Sequence, residues 1–253
     1  MTEIIEPLNT SRQFQMNRRV ALSDTDPSGR LRIDACARYL QDVAAFDAID
    51  ADISQMGNWV LRQNNIFVSS LPSYGQGVSS KTYLTGSGRA WVERTSLISD
   101  SESGTRLIAA RALWVLTSLT SGAPISVPGN LYEVYGPLAT QHRVSIRDAK
   151  RYMLPDAAQP MAWQIRYSDQ DILSHLNNAT YLEALEEVIY REGIKLDKES
   201  QMNCQIVYRE STSWEDPSDI YFALSEEDGH GCVSVYFAKN DIVRTSINLR
   251  VFN

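Results

Sequence analysis

The feature that most constrains the fold of this 253-residue chain is an internal repeat. Ser23-Asp24-Thr25-Asp26 recurs as Ser168-Asp169-Gln170-Asp171, 145 positions on, and Ala37-Arg38-Tyr39-Leu40-Gln41 lies against Ala179-Thr180-Tyr181-Leu182-Glu183 at an offset of 142. Both copies place an acidic turn before a helical pattern, so one supersecondary unit is used twice. In the second copy Leu182, Leu185, Val188 and Ile189 form an apolar stripe, and Glu183, Glu186 and Glu187 are expected mostly outward. Asn177 or Asn178 can cap that helix and Gly193 can end it. In the first copy Ala37, Leu40, Val43, Ala44 and Ala48 give a similar face before Gly57.

Strand-like runs follow each helix. After the first they are Trp59–Leu61, Ile66–Val68, Lys81–Thr85, Ala90–Ile98 and Leu107–Thr117; after the second, Gln205–Glu210, Ile220–Leu224, Val233–Ala238 and Thr245–Phe252. An early helix followed by several antiparallel strands, twice over, predicts an α+β chain in which each unit wraps a sheet around a central helix. Pro124, Pro128, Gly129, Gly136 and Pro137 mark the connection. The expected division is therefore residues 1–130, a connection over 131–160, and a second unit over 161–253.

A hydrophobic content of 43% suffices for a core, and 24 basic against 31 acidic residues, a net charge of −7, argue against a broad nucleic-acid-binding surface. Cys36, Cys204 and Cys232 are odd in number and widely spaced, which predicts neither a disulfide framework nor a zinc site. The N-terminus lacks a secretory pattern and no apolar run approaches membrane-spanning length, so a cytoplasmic protein without membrane association is expected. The basic stretch His142, Arg143, Arg147, Lys150 and Arg151 could dock an acidic partner.

No GxSxG elbow, phosphate-binding loop, dinucleotide fingerprint or HExxH helix is present, which leaves metal-free acid/base chemistry and calls for no cofactor. The densest constellation is Asp171-Ile172-Leu173-Ser174-His175-Leu176-Asn177-Asn178. It puts a carboxylate, an imidazole and two amides just ahead of a helix N-terminus, where backbone N–H groups can stabilise an oxyanion while Asp171 or His175 works on water. That arrangement suits acyl transfer. It is equally compatible with a turn closed by Asp171 and capped by asparagine.

These residues, together with Trp59-Val60-Leu61, Arg111-Ala112-Leu113-Trp114-Val115-Leu116 and Ile206-Val207-Tyr208-Arg209-Glu210, resemble the acyl-acyl carrier protein (acyl-ACP) thioesterases over nearly the whole chain. The resemblance implies a double hotdog fold and hydrolysis of a fatty acyl thioester carried on acyl carrier protein. It also implies that Leu40, Val43 and Ala44 help hold the acyl chain in the first unit. The family motif Asp-x-Asn-x-His-x-Asn-Asn carries over to Asp171, His175, Asn177 and Asn178, and Glu210 matches a glutamate that binds or activates water. Leu173 replaces the family's catalytic asparagine, and Ser211 stands where plant members place cysteine. A monomer and a homodimer both fit this reading.

Two alternatives stand beside it. Asp24-Thr25-Asp26-Pro27-Ser28-Gly29 is similar to the motif of the 4-hydroxybenzoyl-CoA thioesterase class, which would centre an acyl-CoA thioesterase on Asp26. Leu173 keeps open a noncatalytic acyl- or carrier-binding protein. Hydratase chemistry is disfavoured because four positions, with no proline, separate Asp171 from His175.

Overall fold

The computed structural model of the protein describes residues 4–140 and 152–252. The basic stretch 142–151 lies outside the described residues. The two acidic turns share one backbone path. Asp26 N–H donates to Arg30 O at 2.9 Å and Asp171 N–H to His175 O at 2.8 Å; Arg32 N–H donates to Asp24 O at 3.0 Å and Asn177 N–H to Asp169 O at 2.9 Å. Each turn is closed by a bridge, Thr25 with Leu31 and Gln170 with Leu176. All these pairs are 145 positions apart, so the repeat is structural. The same corner of each turn needs positive φ, met by Gly29 at 81° and Ser174 at 59°.

Helix α1 (Ile33–Asp50) follows the first turn and helix α3 (Tyr181–Arg191) the second. Between them lie β2 (Asn58–Val68), β3 (Gly77–Ser87), β4 (Trp91–Asp100), β5 (Arg106–Thr117) and the short α2 (Asn130–Tyr135). After α3 come β7 (Gln201–Tyr208), β8 (Asp219–Glu227), β9 (His230–Lys239) and β10 (Ile242–Phe252), while β1 (Phe14–Arg19) and β6 (Gln159–Met161) precede the two turns. The strands form one antiparallel ten-stranded sheet in the order β1-β3-β4-β5-β2-β7-β10-β9-β8-β6. Its two halves meet where β2 pairs with β7, and α1 packs against α3 inside it. This is a double hotdog.

Some local structure was not visible as separate signals. The runs at Trp59–Leu61 and Ile66–Val68 belong to one strand, because a bulge between Leu61 and Gln63 interrupts the alternation there. Beyond it Asn64, Ile66 and Val68 all face inward. The third helix starts at Tyr181, later than the asparagines suggested, and Thr180 gives it no side-chain cap. Asn177 Oδ1 instead accepts the Ala179 N–H at 2.9 Å, within the turn that leads into the helix. At the other end Gly193 takes φ 64°, and the Ile194 N–H reaches Ile189 O at 3.0 Å, which closes the helix as expected. β1, β6 and α2 carried no strong pattern; α2 buries Leu131 and Tyr135 in a cluster with Leu84 and Val92.

Candidate active site

The two halves differ most at the N-termini of their helices. In the first half Ile33 N–H donates to Glu186 Oε1, 2.6 Å away, and Arg30 Nη2 reaches Glu186 Oε2 at 3.2 Å. Glu186 is therefore turned inward between the helices, against the outward placement expected for it. The apolar stripe is broad enough to include a carboxylate because a helix N-terminus and a guanidinium receive it. Burial pushes the Glu186 carboxyl up from the usual carboxylate range, opposed by Arg30 and the Ile33 N–H.

The repeat locates the corresponding groups of the second half. Ile33 corresponds to Asn178 by the turn offset, and Glu186 to Ala44 by the helix offset. Ala44 has no carboxylate to offer. Among the described residues the Asn178 N–H has no hydrogen-bond acceptor, and both Ala44 and Asn178 line a cavity that opens to solvent. One half fills the space at its helix N-terminus with a carboxylate and the other leaves it empty.

The cavity lies between α1 and the inner face of the sheet. Ala37, Leu40, Gln41 and Ala44, one face of α1, form one wall; small Ala110 and Ala112 of β5 leave the room opposite. At one end are Asn178, Ala179 and Tyr208, and Tyr208 OH donates to Asn178 O at 2.9 Å. At the other are Arg94 and Ser96 of β4. Leu40 and Ala44 thus stand where an acyl chain could lie. Val43 is fully buried and is not part of the lining.

The polar candidates Asp171, His175 and Glu210 are not among the residues that line this cavity. Asp171 Oδ1 accepts the N–H groups of Leu173 at 2.8 Å and His175 at 3.3 Å, which shapes the turn, while its Oδ2 has no hydrogen bond among the described residues. His175 is exposed. Glu210, 63% exposed at its side chain, lies past the end of β7 and faces Arg244 at 3.6 Å. The segment that carries it touches the turn through Leu176 N–H to Thr212 O at 2.7 Å. No hydrogen bond or ion pair among the described residues joins Asp171, His175 and Glu210 to one another. Leu173 is half exposed and Ile172 is 100% exposed.

Asp26 sits differently. Its Oδ1 accepts Ser28 N–H at 2.9 Å, Ser28 Oγ–H at 2.7 Å and Arg30 N–H at 3.0 Å, and its Oδ2 lies 2.8 Å from Arg30 Nε. Burial works against its charge, but the Ser28 and Arg30 bonds and the Arg30 guanidinium outweigh it and hold the carboxyl below the usual range. Such a carboxylate is a weak base. Among the described residues no group of three or more His, Cys, Asp or Glu side chains is placed to hold a metal ion, and no helix is long and apolar enough to cross a membrane.

The sequence profile of the acyl-ACP thioesterase N-terminal domain matches residues 11–135 and that of the C-terminal domain residues 153–246. The chain belongs to the acyl-ACP thioesterase family. An acyl-[acyl-carrier-protein] hydrolase of Cuphea viscosissima is 28% identical over 130 residues, which make up 49% of this chain and 31% of that protein. The chain thus matches about a third of the length of that relative. Among solved structures, an acyl-ACP thioesterase from Bacteroides thetaiotaomicron superposes with a TM-score of 0.72 at 20% identity, covering 95% of this chain and 98% of that one. The 12:0-ACP thioesterase of Umbellularia californica gives 0.72 at 17% identity, covering 95% and 97%. Both are likenesses of fold.

Proposed function

We propose that this acyl-ACP thioesterase family member hydrolyses fatty acyl thioesters of acyl carrier protein in the cytoplasm, with residues 161–253 carrying the polar groups and residues 1–130 the acyl chain. The observation that carries this reading is that Asn178, whose N–H has no acceptor among the described residues, lines a cavity at the position where the repeat in the other half binds the Glu186 carboxylate. A position that holds a carboxylate oxygen in one half suits a carbonyl oxygen gaining charge in the other.

In this reading the thioester carbonyl lies against the Asn178 N–H and the acyl chain runs past Ala44 and Leu40. Water, oriented by Glu210, gives a proton to Asp171 Oδ2 as its oxygen bonds to the carbonyl carbon. The C–S bond then breaks, the departing sulfur takes a proton from the His175 imidazolium, and the proton held by Asp171 returns to His175 through solvent, which restores both groups. Asn177 holds the turn that presents Asn178. The products are the free acid and the carrier thiol.

The acyl-CoA reading centred on Asp26 is weaker, because the equivalent space beside that turn is occupied by Glu186 and Arg30. A noncatalytic binding role is favoured by one feature, the aliphatic Leu173. Incubating the protein with matched acyl-ACP and acyl-CoA thioesters and following thiol release tests all three. Release from acyl-ACP supports the proposal; tight acyl-ACP binding with no thiol release supports the binding role and overturns it.

A further inference from the structure

The wall of the cavity contains an arrangement that a plain hydrocarbon chain does not need. Asn64 is 6% exposed and occupies an inward position of β2, in series with Ile66 and Val68, where the alternation asks for an apolar side chain. Its Oδ1 is buried and has no hydrogen-bond partner among the described residues. The same holds for Gln41 Oε1, across the cavity on α1, and for Trp114 Nε1 on β5, and all three residues line the cavity.

The neighbouring polar groups are already satisfied. Ser96 Oγ and Thr82 Oγ1 share a hydrogen bond of 2.8 Å, and the Arg94 guanidinium is bound by Asp47, Thr82 and Tyr135. Arg94 therefore has no need of an anionic ligand. What is missing is a neutral group able both to donate and to accept. Two amides and an indole N–H offer that combination whichever way the amides are turned. Leaving such atoms against methylene groups costs the desolvation of each with no hydrogen bond in return.

We infer that the chain takes an acyl thioester bearing a hydroxyl group, bound by Asn64, Gln41 and Trp114; the inference rests on the proposed thioesterase reading for what the cavity holds. A hydroxyl donates to an amide oxygen and accepts from the indole, whereas an anion or a bare chain matches only part of this set. Sheet order places the hydroxyl along the chain. From the Tyr208 end the cavity crosses β7, then β2 with Asn64, then β5, then β4 with Arg94. Strands are about 4.8 Å apart, so Asn64 stands one strand from the thioester end and Arg94 three. The hydroxyl belongs to the thioester-proximal part of the chain.

Two measurements test this with dodecanoyl, 3-hydroxydodecanoyl and 12-hydroxydodecanoyl groups. In the first, kcat/KM is compared for the three chains on acyl carrier protein. In the second, the three free acids compete with a fluorescent fatty acid for the cavity, a readout that does not need hydrolysis. The 3-hydroxy chain is expected to be favoured over the plain chain by about tenfold or more, with no such gain for the 12-hydroxy chain. The preference should shrink in Asn64→Leu and, should that variant fail to fold, in Trp114→Phe, which removes the indole N–H donor together with part of the ring. Hydrolysis of all three chains without preference overturns the inference and leaves the proposed activity standing. Preferential binding of the 3-hydroxy acid with no hydrolysis does the reverse. Equal competition by the acids, as expected if the three atoms hold only water, or a preference untouched by both substitutions, also overturns it.

Discussion

Glu186 Oε1 accepts the Ile33 N–H at 2.6 Å, so α3 supplies the N-terminal partner that Arg32, the N-cap residue of α1, does not. The duplicated turns each lead into a helix, and this one contact distinguishes the two positions that correspond by the turn offset, Ile33 and Asn178. Where Glu186 reaches across, the space is filled and the Arg30 charge is balanced; where Ala44 stands, it is open. The chemistry proposed for the second half thus depends on a side chain that is absent from the first helix.

Putting a carboxylate back should close the site. Ala44→Glu is expected to bring an acceptor to the Asn178 N–H, as Glu186 does for Ile33. Loss of an oxyanion donor costs about 100- to 1,000-fold in turnover, and the variant should lose at least that while keeping the wild-type circular dichroism spectrum. A folded Ala44→Glu protein with undiminished thiol release would show that Asn178 N–H does not serve the reaction.

Asp26 should matter to stability. Its folded-state carboxyl titrates below the usual range, so the unfolded chain holds the proton more tightly. The resulting stabilisation is present above the unfolded carboxylate value, about pH 4, and disappears as pH falls through the folded one. Asp26→Asn is expected to lower stability by about 1–2 kcal/mol at pH 7, with the gap to wild type closing below pH 4. Urea midpoints at pH 7, 5 and 3 measure it; a gap that stays constant across this range contradicts the assignment.

The repeat was legible because backbone turns need particular residues: the acidic pair, the positive-φ corner and the apolar residue closing the turn recur at one spacing. The two long helices and most strands followed from periodicity. The cavity was half legible, since small Ala44 and apolar Leu40 share a face with Ala37, but Gln41, Asn64 and Trp114 line it through tertiary placement that spacing alone does not give. Asn64 left one usable signal, a polar residue at an inward position, and the bulge beside Leu61 hid it by breaking the alternation. Glu186 was misplaced for a different reason. A charge within the run Glu183, Glu186 and Glu187 reads as solvated in the sequence, and only the α1–α3 crossing brings Arg30 and the Ile33 N–H to Glu186.

Leu173 offers a gain-of-function test. Its backbone N–H is used by Asp171, but its side chain is half exposed and supplies no hydrogen bond beside the turn. Leu173→Asn adds an amide without disturbing a buried contact. Turnover on acyl-ACP should rise by about tenfold, the value of one well-placed hydrogen bond in the transition state. An unchanged or lower rate in the folded variant would mean that the turn positions its groups without an amide at 173.

The sharpest comparison is between the two aspartates at equivalent corners of the two turns. Asp171 keeps one carboxylate oxygen clear of hydrogen bonds among the described residues and stands in the turn that leads to His175 and Asn178, a turn joined through Leu176 and Thr212 to the segment that carries Glu210. Asp26 spends both oxygens on Ser28 and Arg30, and the space beyond its turn contains the Glu186 carboxylate. Loss of a positioned general acid or base costs about 100- to 10,000-fold in rate, so Asp171→Ala should fall in that range and Asp26→Ala should lose far less among molecules that remain folded. Because Asp171 Oδ1 also shapes its turn, the comparison includes Asp171→Asn, which keeps that acceptor and removes the basic carboxylate. Asn and Ala should be nearly equally inactive at position 171 if the carboxylate takes the proton, whereas recovery of turnover by Asn would reduce Asp171 to a residue that holds the turn. A dead Asp26→Ala beside a fully active Asp171→Ala would move the chemistry to the first half and make Glu186 part of it.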